Sequence, residues 1–285
     1  MQYPIETMKP EEFPKLLGEI TDPPEQLYQR GTPLPEAARY LCVVGSRQYT
    51  SYGRSICQKL MAGLTGHDIC IVSGLALGID AIAHKAALEA GLACVGVPGS
   101  GLNDDVLYPR TNKPLADDIL KSGGSLISEF DPDFKAKAWG FPQRNRIMAG
   151  LSHAVLVIEA TEQSGTLITA RLASEYNRDV FTVPGSLKSS STAGPHQLIR
   201  DGAALIRSAE DILKELGLEN LGEIIDKTAD LTEAETAIIE ALAEPLTKDD
   251  LIERVDLPAN QVNILISQLE LKGVIAERAG KIEAV

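Results

Sequence analysis

Residues 69–90 read ICIVSGLALGIDAIAHKAALEA, and this stretch decides the fold class. Its first part, 69–73, is a short β-branched run typical of a buried strand, whereas 79–90 carries apolar residues at helical spacing. The segment between them, 74–78, contains two glycines, which permit a sharp turn and close approach of another backbone. A strand that passes through a glycine turn into a helix is the repeating unit of a parallel α/β sheet.

The same alternation continues along most of the chain. Further strand candidates lie at 41–44, 93–97, 125–129, 154–158, 180–183 and 203–206, and further helix candidates at 52–64, 114–121, 146–151 and 167–176. This order predicts an α/β fold with a doubly wound, mostly parallel sheet. In such sheets ligands bind beyond the carboxyl ends of the strands, so the loops at that edge are the first place to look for a site.

The two ends of the chain differ from this central domain, 41–217. Residues 1–40 hold seven of the 16 prolines and few apolar runs, which predicts an N-terminal arm or cap with little regular structure. An acidic, leucine-rich helix from residue 208 leads into a predicted linker, 218–230. A new pattern then begins at Thr232.

The tail, 231–285, has the signals of a small winged-helix domain. Thr232 with Glu235 has capping-box spacing, Thr247 with Asp250 resembles a second helix start, and Pro258 precedes an amphipathic run. A hairpin with its turn at 279–280 follows these three helices. The tail carries five Lys and Arg against eleven Asp and Glu, so we expect a protein-contact role or a vestigial module rather than groove reading of DNA.

Charge places any anion site in the centre of the chain. The formal net charge is −13, but between Leu41 and Arg207 there are 16 Lys and Arg against 15 Asp and Glu. The acidity therefore belongs to the flanks. Because Lys and Arg dominate affinity for polyanions, a nucleic-acid partner would bind the central domain.

Other classes of site and compartment are disfavoured. There is no signal-peptide pattern and no apolar run of about 18 residues, so we expect a cytoplasmic protein with no membrane contact. The cysteines form no Cys-x-x-Cys pair, which predicts buried reduced thiols. Adjacent Asp104 and Asp105 are typical of a solvated turn, and we predict neither a metal nor a cofactor.

Four loops at the predicted carboxyl edge carry candidate anion contacts. They are Gly45, Ser46 and Arg47 after the first central strand, Arg110 in a later loop, Arg144, Asn145 and Arg146 near a proline turn, and Ser164, Gly165 and Thr166 at a helix start. Guanidinium groups match phosphate oxygens, and helix N-termini favour negative charge. Exposed turn arginines, arginines paired with acids, and simple N-capping are the alternative interpretations.

Three further features near this edge have structural interpretations that we prefer. Asp80 is expected to cap a helix, and His84 to be a hydrogen-bonded histidine on a helix face. A serine-rich loop, 184–196, is expected to be mobile, with Lys188 as its cation and the capacity to order over a ligand.

Several ordered motifs resemble the bacterial DNA-processing protein A family (DprA, also called Smf). They are Gly45-Ser-Arg47, Ser73-Gly-Leu-Ala-x-Gly-Ile-Asp80, Tyr108-Pro-Arg110, Leu126-Ile-Ser-Glu-Phe130, Phe141-Pro-x-Arg-Asn-Arg146, Ser164-Gly-Thr-Leu-Ile-Thr-Ala170, Val183-Pro-Gly185 and Gly194-Pro-His196. The resemblance covers about Tyr3 to Leu213, and the tail resembles the C-terminal module of many members.

The resemblance implies an extended Rossmann-like domain that binds single-stranded DNA without strong sequence preference and dimerises. It further implies protection of incoming DNA and help in loading the RecA recombinase during natural transformation, with no catalysis. By position, Arg47, Arg110 and 144–146 would hold the DNA backbone, with 164–166 lining the same pocket. Phe141, and less so Trp139, would stack on a base, although packing is the alternative for either ring.

The chain departs from the family pattern at Gln143, where some members carry a basic residue, and we expect no helical domain of the kind some members carry before the arm. An alternative is an enzyme similar to nucleoside-monophosphate phosphoribohydrolases. That group has Pro-Gly-Gly-x-Gly-Thr followed closely by a catalytic Glu, whereas here no acid follows Thr166 until Glu175. The sequence therefore favours the DNA-binding interpretation.

Overall fold

The structure is a computed structural model that describes residues 3–36, 38–218, 232–242, 246–255, 257–271, 275–278 and 281–284. The chain divides into two compact units, Met1–Glu219 and Asn220–Val285. No helix within the described ranges combines the length and the apolar character needed to cross a bilayer.

The first unit is built on one nine-stranded sheet, whose strand order is β1-β2-β6-β5-β4-β3-β7-β8-β9. The strands β3 to β9 run parallel to one another, whereas β2 pairs antiparallel with both β6 and β1. All seven central strands predicted from sequence are confirmed. The strands are β1 (Ile5–Met8), β2 (Leu27–Gly31), β3 (Arg39–Val44), β4 (Ile69–Ser73), β5 (Ala93–Gly96), β6 (Ser125–Ser128), β7 (Ala154–Val157), β8 (Asp179–Thr182) and β9 (Ala204–Leu205).

Helices link the parallel strands and cover both faces of the sheet. They are α1 (Lys15–Gly18), α2 (Ser51–Gly63), α3 (Ile79–Glu89), α4 (Lys113–Lys121), α5 (Gly140–Leu151), α6 (Thr166–Glu175), α7 (Ala193–Arg200) and α8 (Ala209–Glu215). Helix α5 begins at Gly140 rather than at the predicted Arg146. Pro142 does not prevent this, because the N–H groups of a first helical turn have no intrahelical partner.

The sheet separates two apolar layers. Along β3, Leu41 and Val43 belong to one buried cluster, whereas Cys42 and Val44 belong to the other. This alternation follows from the two-residue period of a strand, and a strand buried on both faces is expected in a parallel sheet. The four cysteines are free and buried, as predicted, and burial raises the pKa of each thiol.

The expectation of little regular structure in residues 1–40 is wrong. Strand β2 pairs antiparallel with β6, placing Tyr28 opposite Ser128, and β1 then pairs with β2. The two strands cover the edge that β6 would otherwise leave unpaired, which satisfies its backbone groups. Local sequence conceals this, because the partner strand lies about a hundred residues further along the chain.

The second unit has the predicted winged-helix order. Its elements are α9 (Glu233–Ala241), α10 (Lys248–Arg254), α11 (Ala259–Leu271), β10 (Ile275–Arg278) and β11 (Lys281–Ala284). The predicted caps are present: the Thr232 side chain accepts from the Glu235 amide, and the Thr247 side chain accepts from the Asp250 amide. All but the first residue of the predicted linker, 218–230, and the predicted turn at 279–280 lie outside the described residues.

Candidate functional site

The strand order reverses between β3 and β7, and a cleft of about 470 Å³ opens beyond the carboxyl ends of these strands. Such a switch point is where doubly wound sheets place ligands, because the loops on either side diverge. We refer to it as the carboxyl-edge cleft. Nine of the eleven predicted site residues line it: Gly45, Ser46, Arg47, Phe141, Arg144, Asn145, Ser164, Gly165 and Thr166.

The loop after β3 is held in a fixed shape. The Ser46 hydroxyl donates to the Gln48 carbonyl at 2.8 Å and accepts from the Gln48 amide at 3.1 Å. The Ile79 amide donates to the Ser46 carbonyl at 3.2 Å. Gly78, at φ 87°, lies so close to this loop that a Cβ there would clash with its backbone. The loop therefore presents Arg47 from a rigid base.

Arg47 is the accessible cation of the cleft. Its side chain is exposed and its guanidinium carbon lies 5.4 Å from the centroid of the Phe141 ring, within cation–π range. Among the described residues it forms no ion pair. Its charge is consequently available to an external anion.

Tyr108 is a further candidate site residue, which the sequence prediction did not include. Its ring is 47 % exposed and lies 5.7 Å from the Phe141 ring, at an interplanar angle of 49°. Tyr108, Phe141 and Arg47 line a small niche that adjoins the cleft. The signal for it in the sequence is the Tyr108-Pro-Arg110 motif, in which the tyrosine precedes the predicted arginine contact by two residues.

Arg144 forms part of the rigid frame of the cleft. It is 5 % exposed, and its Nη1 donates to the Gly74 carbonyl at 2.6 Å and to the Val97 carbonyl. Gly74 is required here, because a Cβ at that position would overlap the guanidinium. Burial lowers the pKa of Arg144, and nearby Asp80 opposes that change. The charge faces the cleft but the side chain has little freedom to move.

Asp80 stabilises the loop after β4, which forms part of the cleft wall, and does not cap its own helix. It is buried and accepts a hydrogen bond from the Gly74 amide at 3.1 Å. Burial raises its pKa, while the Arg144 charge acts in the opposite direction. Among the described residues lining the cleft, Asp80 is the one acid, so with Arg47 and Arg144 the lining carries a net positive charge. His84 is fully buried, and burial lowers its pKa to about 4, which keeps the imidazole neutral.

Helix α6 directs its N-terminus toward the cleft. The Thr166 amide donates to the Ser164 hydroxyl at 3.2 Å, and Gly165 at the cap position has no side chain that could accept from the first-turn amides. Ser164 thus satisfies one amide of the first turn, so the capping and anion-binding interpretations are compatible. The positive end of the helix dipole adds to the potential from the two arginines.

The structure does not bring Arg146 into this cleft. Its guanidinium forms an ion pair with Glu129 and donates to the Asp22 carbonyl, and its side chain is 14 % exposed. Burial raises the pKa of Glu129, and the Arg146 charge opposes that rise. Arg146 therefore ties helix α5 to the end of β6 and to the N-terminal arm.

Arg110 lies beside the cleft rather than within its lining. It is exposed at the start of a short turn of helix, Arg110–Asn112, directly after the residues Tyr108 and Pro109 that line the niche. In the same turn the Asn112 side-chain amide donates to the Leu75 carbonyl at 2.7 Å. The turn thus holds the loop after β4 in place, and Arg110 lies exposed at the rim of the cleft.

The serine-rich loop after β8 is less free than expected. The Ser191 hydroxyl donates to the Glu159 carboxylate at 3.0 Å, and the Thr50 amide donates to the same carboxylate at 2.9 Å. Both Ser191 and Thr192 are buried. The second half of the loop is therefore anchored, while Leu187 at its tip is 91 % exposed.

A second cleft, of about 790 Å³, lies where the amino-terminal ends of β3 and β7 meet the N-terminal arm. We refer to it as the amino-edge cleft. Its wall includes Tyr40 and His153, whose rings stack with centroids 6.3 Å apart. Its lining carries five glutamates and two basic residues: Glu6, Glu11, Glu12, Glu19, Glu36, Lys15 and Arg39. This negative balance disfavours a polyanion.

Comparison with known proteins agrees with this architecture. The model of the family DNA recombination-mediator protein A matches residues 5–217, and the model of the DprA winged helix domain matches residues 226–281. Protein Smf of Escherichia coli is 39 % identical over 277 residues, which span 94 % of this chain and 74 % of that protein.

Two solved structures share the fold of the first unit. The X-ray structure of DNA processing protein A from Streptococcus pneumoniae superposes with a TM-score of 0.69 at 41 % identity, covering 75 % of this chain and 74 % of that one. The protein of the same name from Helicobacter pylori, whose study concerns its single-stranded DNA binding mode, gives a TM-score of 0.67 at 30 % identity, covering 76 % and 98 %.

Proposed function

The chain belongs to the DNA recombination-mediator protein A family, and from that premise we propose that it binds single-stranded DNA in the carboxyl-edge cleft. The observation that carries the proposal is the pair formed by Arg47 and Phe141. An accessible guanidinium lies over an aromatic ring at the mouth of the cleft, so one unit offers both a phosphate contact and a stacking surface. Proteins that bind single strands without sequence preference combine these two contacts.

We assign distinct roles to the residues around this pair. Arg47 contacts phosphate directly, Arg144 contributes fixed charge from the wall, and Asn145 and the loop 164–166 donate hydrogen bonds to the DNA backbone. Phe141 stacks on a base, with Tyr108 beside it. Arg110 makes a rim contact, and Arg146 is left to its acidic partners.

The preference for a single strand follows from the rings. A base can reach Phe141 only when it is unpaired and unstacked, whereas duplex DNA presents its phosphates with the base faces covered. A relative named DNA processing protein DprA, from Bacillus subtilis, and the H. pylori protein studied for its single-stranded DNA binding mode support this ligand class.

We further propose that the protein is a recombination mediator without a catalytic reaction of its own. As a cytoplasmic homodimer it would protect incoming single strands and help load the RecA recombinase during natural transformation. Family membership supports this role. The position of Asp80 also supports it, because that carboxylate is already hydrogen bonded to Gly74 and is poorly placed to act as a base.

Fluorescence anisotropy of labelled oligo-dT, titrated at several salt concentrations, tests the binding proposal. We expect affinity to fall with salt, with a slope of about −0.7 for each phosphate contact, and to exceed that for a matched duplex. Arg47→Ala should weaken binding roughly 10- to 100-fold, the range for losing a hydrogen bond to a charged group. It should also make the salt slope shallower by about 0.7.

Arg54→Ala is the matched control. Arg54 is exposed and its guanidinium lies 5.0 Å from the Tyr49 ring, so the same kind of pair is removed away from the cleft lining. Affinity should stay within about twofold of the parent, because remote surface changes are small. Equal losses in the two variants, or tight binding to neither DNA together with hydrolysis of a nucleoside monophosphate, would overturn the proposal.

A further inference from the structure

Two residues before Phe141, a second aromatic group faces solvent. Trp139 is 52 % exposed, although tryptophan is usually well buried. It is the single tryptophan of the chain. An exposed indole next to a proposed nucleic-acid cleft therefore calls for a functional explanation.

Trp139 is supported by two other rings. Phe130 and Phe134 stack with centroids 4.6 Å apart, and Trp139 meets Phe130 edge-on at 5.7 Å and Phe134 at 5.5 Å. Because these neighbours hold the indole, little conformational entropy remains to be lost when a ligand stacks on its free face. We refer to these three rings as the Trp139 platform.

Two lysines beside the platform can contact a phosphate chain. Lys137 is exposed, with its Nζ 5.7 Å from the Phe134 centroid, and Lys135 is exposed two residues earlier. The two acids of this segment are already engaged: Asp131 accepts from the Tyr28 hydroxyl at 2.8 Å, and Asp133 accepts from the Asn103 side chain at 2.6 Å. Both carboxylates keep their charge, so the segment is close to neutral, and Lys135 and Lys137 provide individual phosphate contacts and not a strongly positive surface.

The platform adjoins the carboxyl-edge cleft through Gly99 and Gly140. A Cβ on Gly99 would press on the Phe141 ring, and one on Gly140 would lie 3.3 Å from both the Gly99 carbonyl oxygen and the Phe130 ring. Trp139 immediately precedes helix α5, and Phe141 is the second residue of that helix. Residues two apart on a helix point to different sides. The two stacking surfaces thus lie on either side of the helix start.

We propose that Trp139 is a second base-stacking site, which binds a nucleobase of the same single strand at a different nucleotide from the one at Phe141. This inference rests on the proposed function of the cleft. It identifies the ligand as an unpaired base and predicts that a strand must be long enough to pass around the start of α5 before Trp139 contributes.

The experiment uses the full chain and two lengths of oligo-dT, about four and about sixteen nucleotides, which bracket the usual site sizes of single-strand binding modules. Binding is followed by anisotropy of labelled DNA, and indole stacking by the intrinsic fluorescence of Trp139. With the longer oligonucleotide at saturation we expect the tryptophan emission to be quenched. With the shorter one the anisotropy should rise while the quenching is much weaker.

Substitutions separate stacking from indirect effects. Trp139→Ala should weaken binding of the longer oligonucleotide roughly 5- to 150-fold, the range found when stacking residues are replaced by alanine, and should leave the shorter one unchanged. Trp139→Phe should retain most of the affinity, because any aromatic face can stack on a base. A thermal unfolding curve for each variant checks that the fold is intact.

The outcomes distinguish this inference from the proposal beneath it. If neither oligonucleotide raises the anisotropy, the single-strand function fails and the second site fails with it. If the longer oligonucleotide binds but leaves Trp139 emission unchanged, or if Trp139→Ala binds both lengths like the parent, only the second stacking site is wrong. A loss of equal size for both lengths would also contradict it, because Trp139 would then act through the cleft itself.

Discussion

The two clefts lie at opposite edges of one sheet and differ in chemistry more than in shape. The amino-edge cleft has the larger volume, about 790 Å³ against about 470 Å³, yet glutamates dominate its charged lining. The carboxyl-edge cleft combines two arginines with a single buried acid and an aromatic ring. The side chains, rather than the volume, therefore indicate which edge receives a polyanion.

The difference shows how a chain with a net charge of −13 can bind DNA. What matters is the local potential, because salt screens charges more than about 10 Å away. Among the acidic flanking segments, the N-terminal arm contributes its glutamates to the amino-edge cleft. The local potential is positive where the strand ends, the N-terminus of helix α6 and two arginines lie close together, despite the negative net charge of the chain.

The largest effect that we expect separates the two arginines of the carboxyl-edge cleft. Arg144→Met leaves the buried carbonyls of Gly74 and Val97 without their donor, which should lower the free energy of unfolding by roughly 2–4 kcal/mol. Arg47→Met removes an exposed cation and should change the free energy of unfolding by less than about 0.5 kcal/mol.

Urea unfolding of both variants measures the contrast. Both variants should lose affinity for oligo-dT, but only Arg144→Met should lose stability. Equal stability of the two would mean that Arg144 is not the structural cation that its contacts indicate.

A smaller effect compares the histidines near the two clefts. Burial lowers the pKa of His84 to about 4, below its unfolded value of about 6.5, so the unfolded chain binds the extra proton between these values. The stability that this group contributes is complete above about pH 6.5 and is lost as the pH falls through that window. The loss in the free energy of unfolding is about 2 kcal/mol by pH 5. The raised pKa of Asp80 acts in the opposite direction.

Denaturation at pH 7 and pH 5 isolates the contribution of each histidine. His84→Gln should remove most of this pH dependence, because the amide does not titrate. His153→Gln should remove less: His153 is only half-buried, and its pKa is lowered first by burial and then by Arg39 and Arg178. If His153→Gln removed more of the pH dependence of stability than His84→Gln, then His153, and not His84, would be the main source of that dependence.

The smallest effect concerns the acidic rim of the amino-edge cleft. Glu6→Gln with Glu36→Gln neutralises two exposed charges in the amino-edge cleft, away from the proposed DNA site. Affinity for oligo-dT should change by less than about twofold, since distant surface charges are screened. A gain approaching tenfold at moderate salt would show that DNA also approaches this edge.

The sequence predicted the central sheet and nine of the lining residues, because both depend on local patterns. The 69–90 stretch contains a strand, a glycine turn and a helix whose positions follow from hydrophobic period alone. The loops at one sheet edge then bring Arg47, Phe141 and Ser164 together without any need for tertiary detail.

The remainder depended on contacts between distant residues. The role of Arg146 is set by Glu129 and Asp22, which no spacing rule links to it. Strands β1 and β2 form because β6 offers them an edge. The burial of Arg144 follows from the close approach of Gly74. Propensity and motif describe what a segment favours locally, whereas its partners emerge only on folding.

Photo-crosslinking tests the central claim most directly. An oligo-dT carrying 4-thiothymidine would be irradiated in complex with the full chain, and the modified peptides would be mapped by mass spectrometry. We expect crosslinks at Phe141 and Tyr108 that disappear in Arg47→Ala and persist in Arg54→Ala. Crosslinks confined to the amino-edge cleft, around Phe13 and Tyr40, would contradict it.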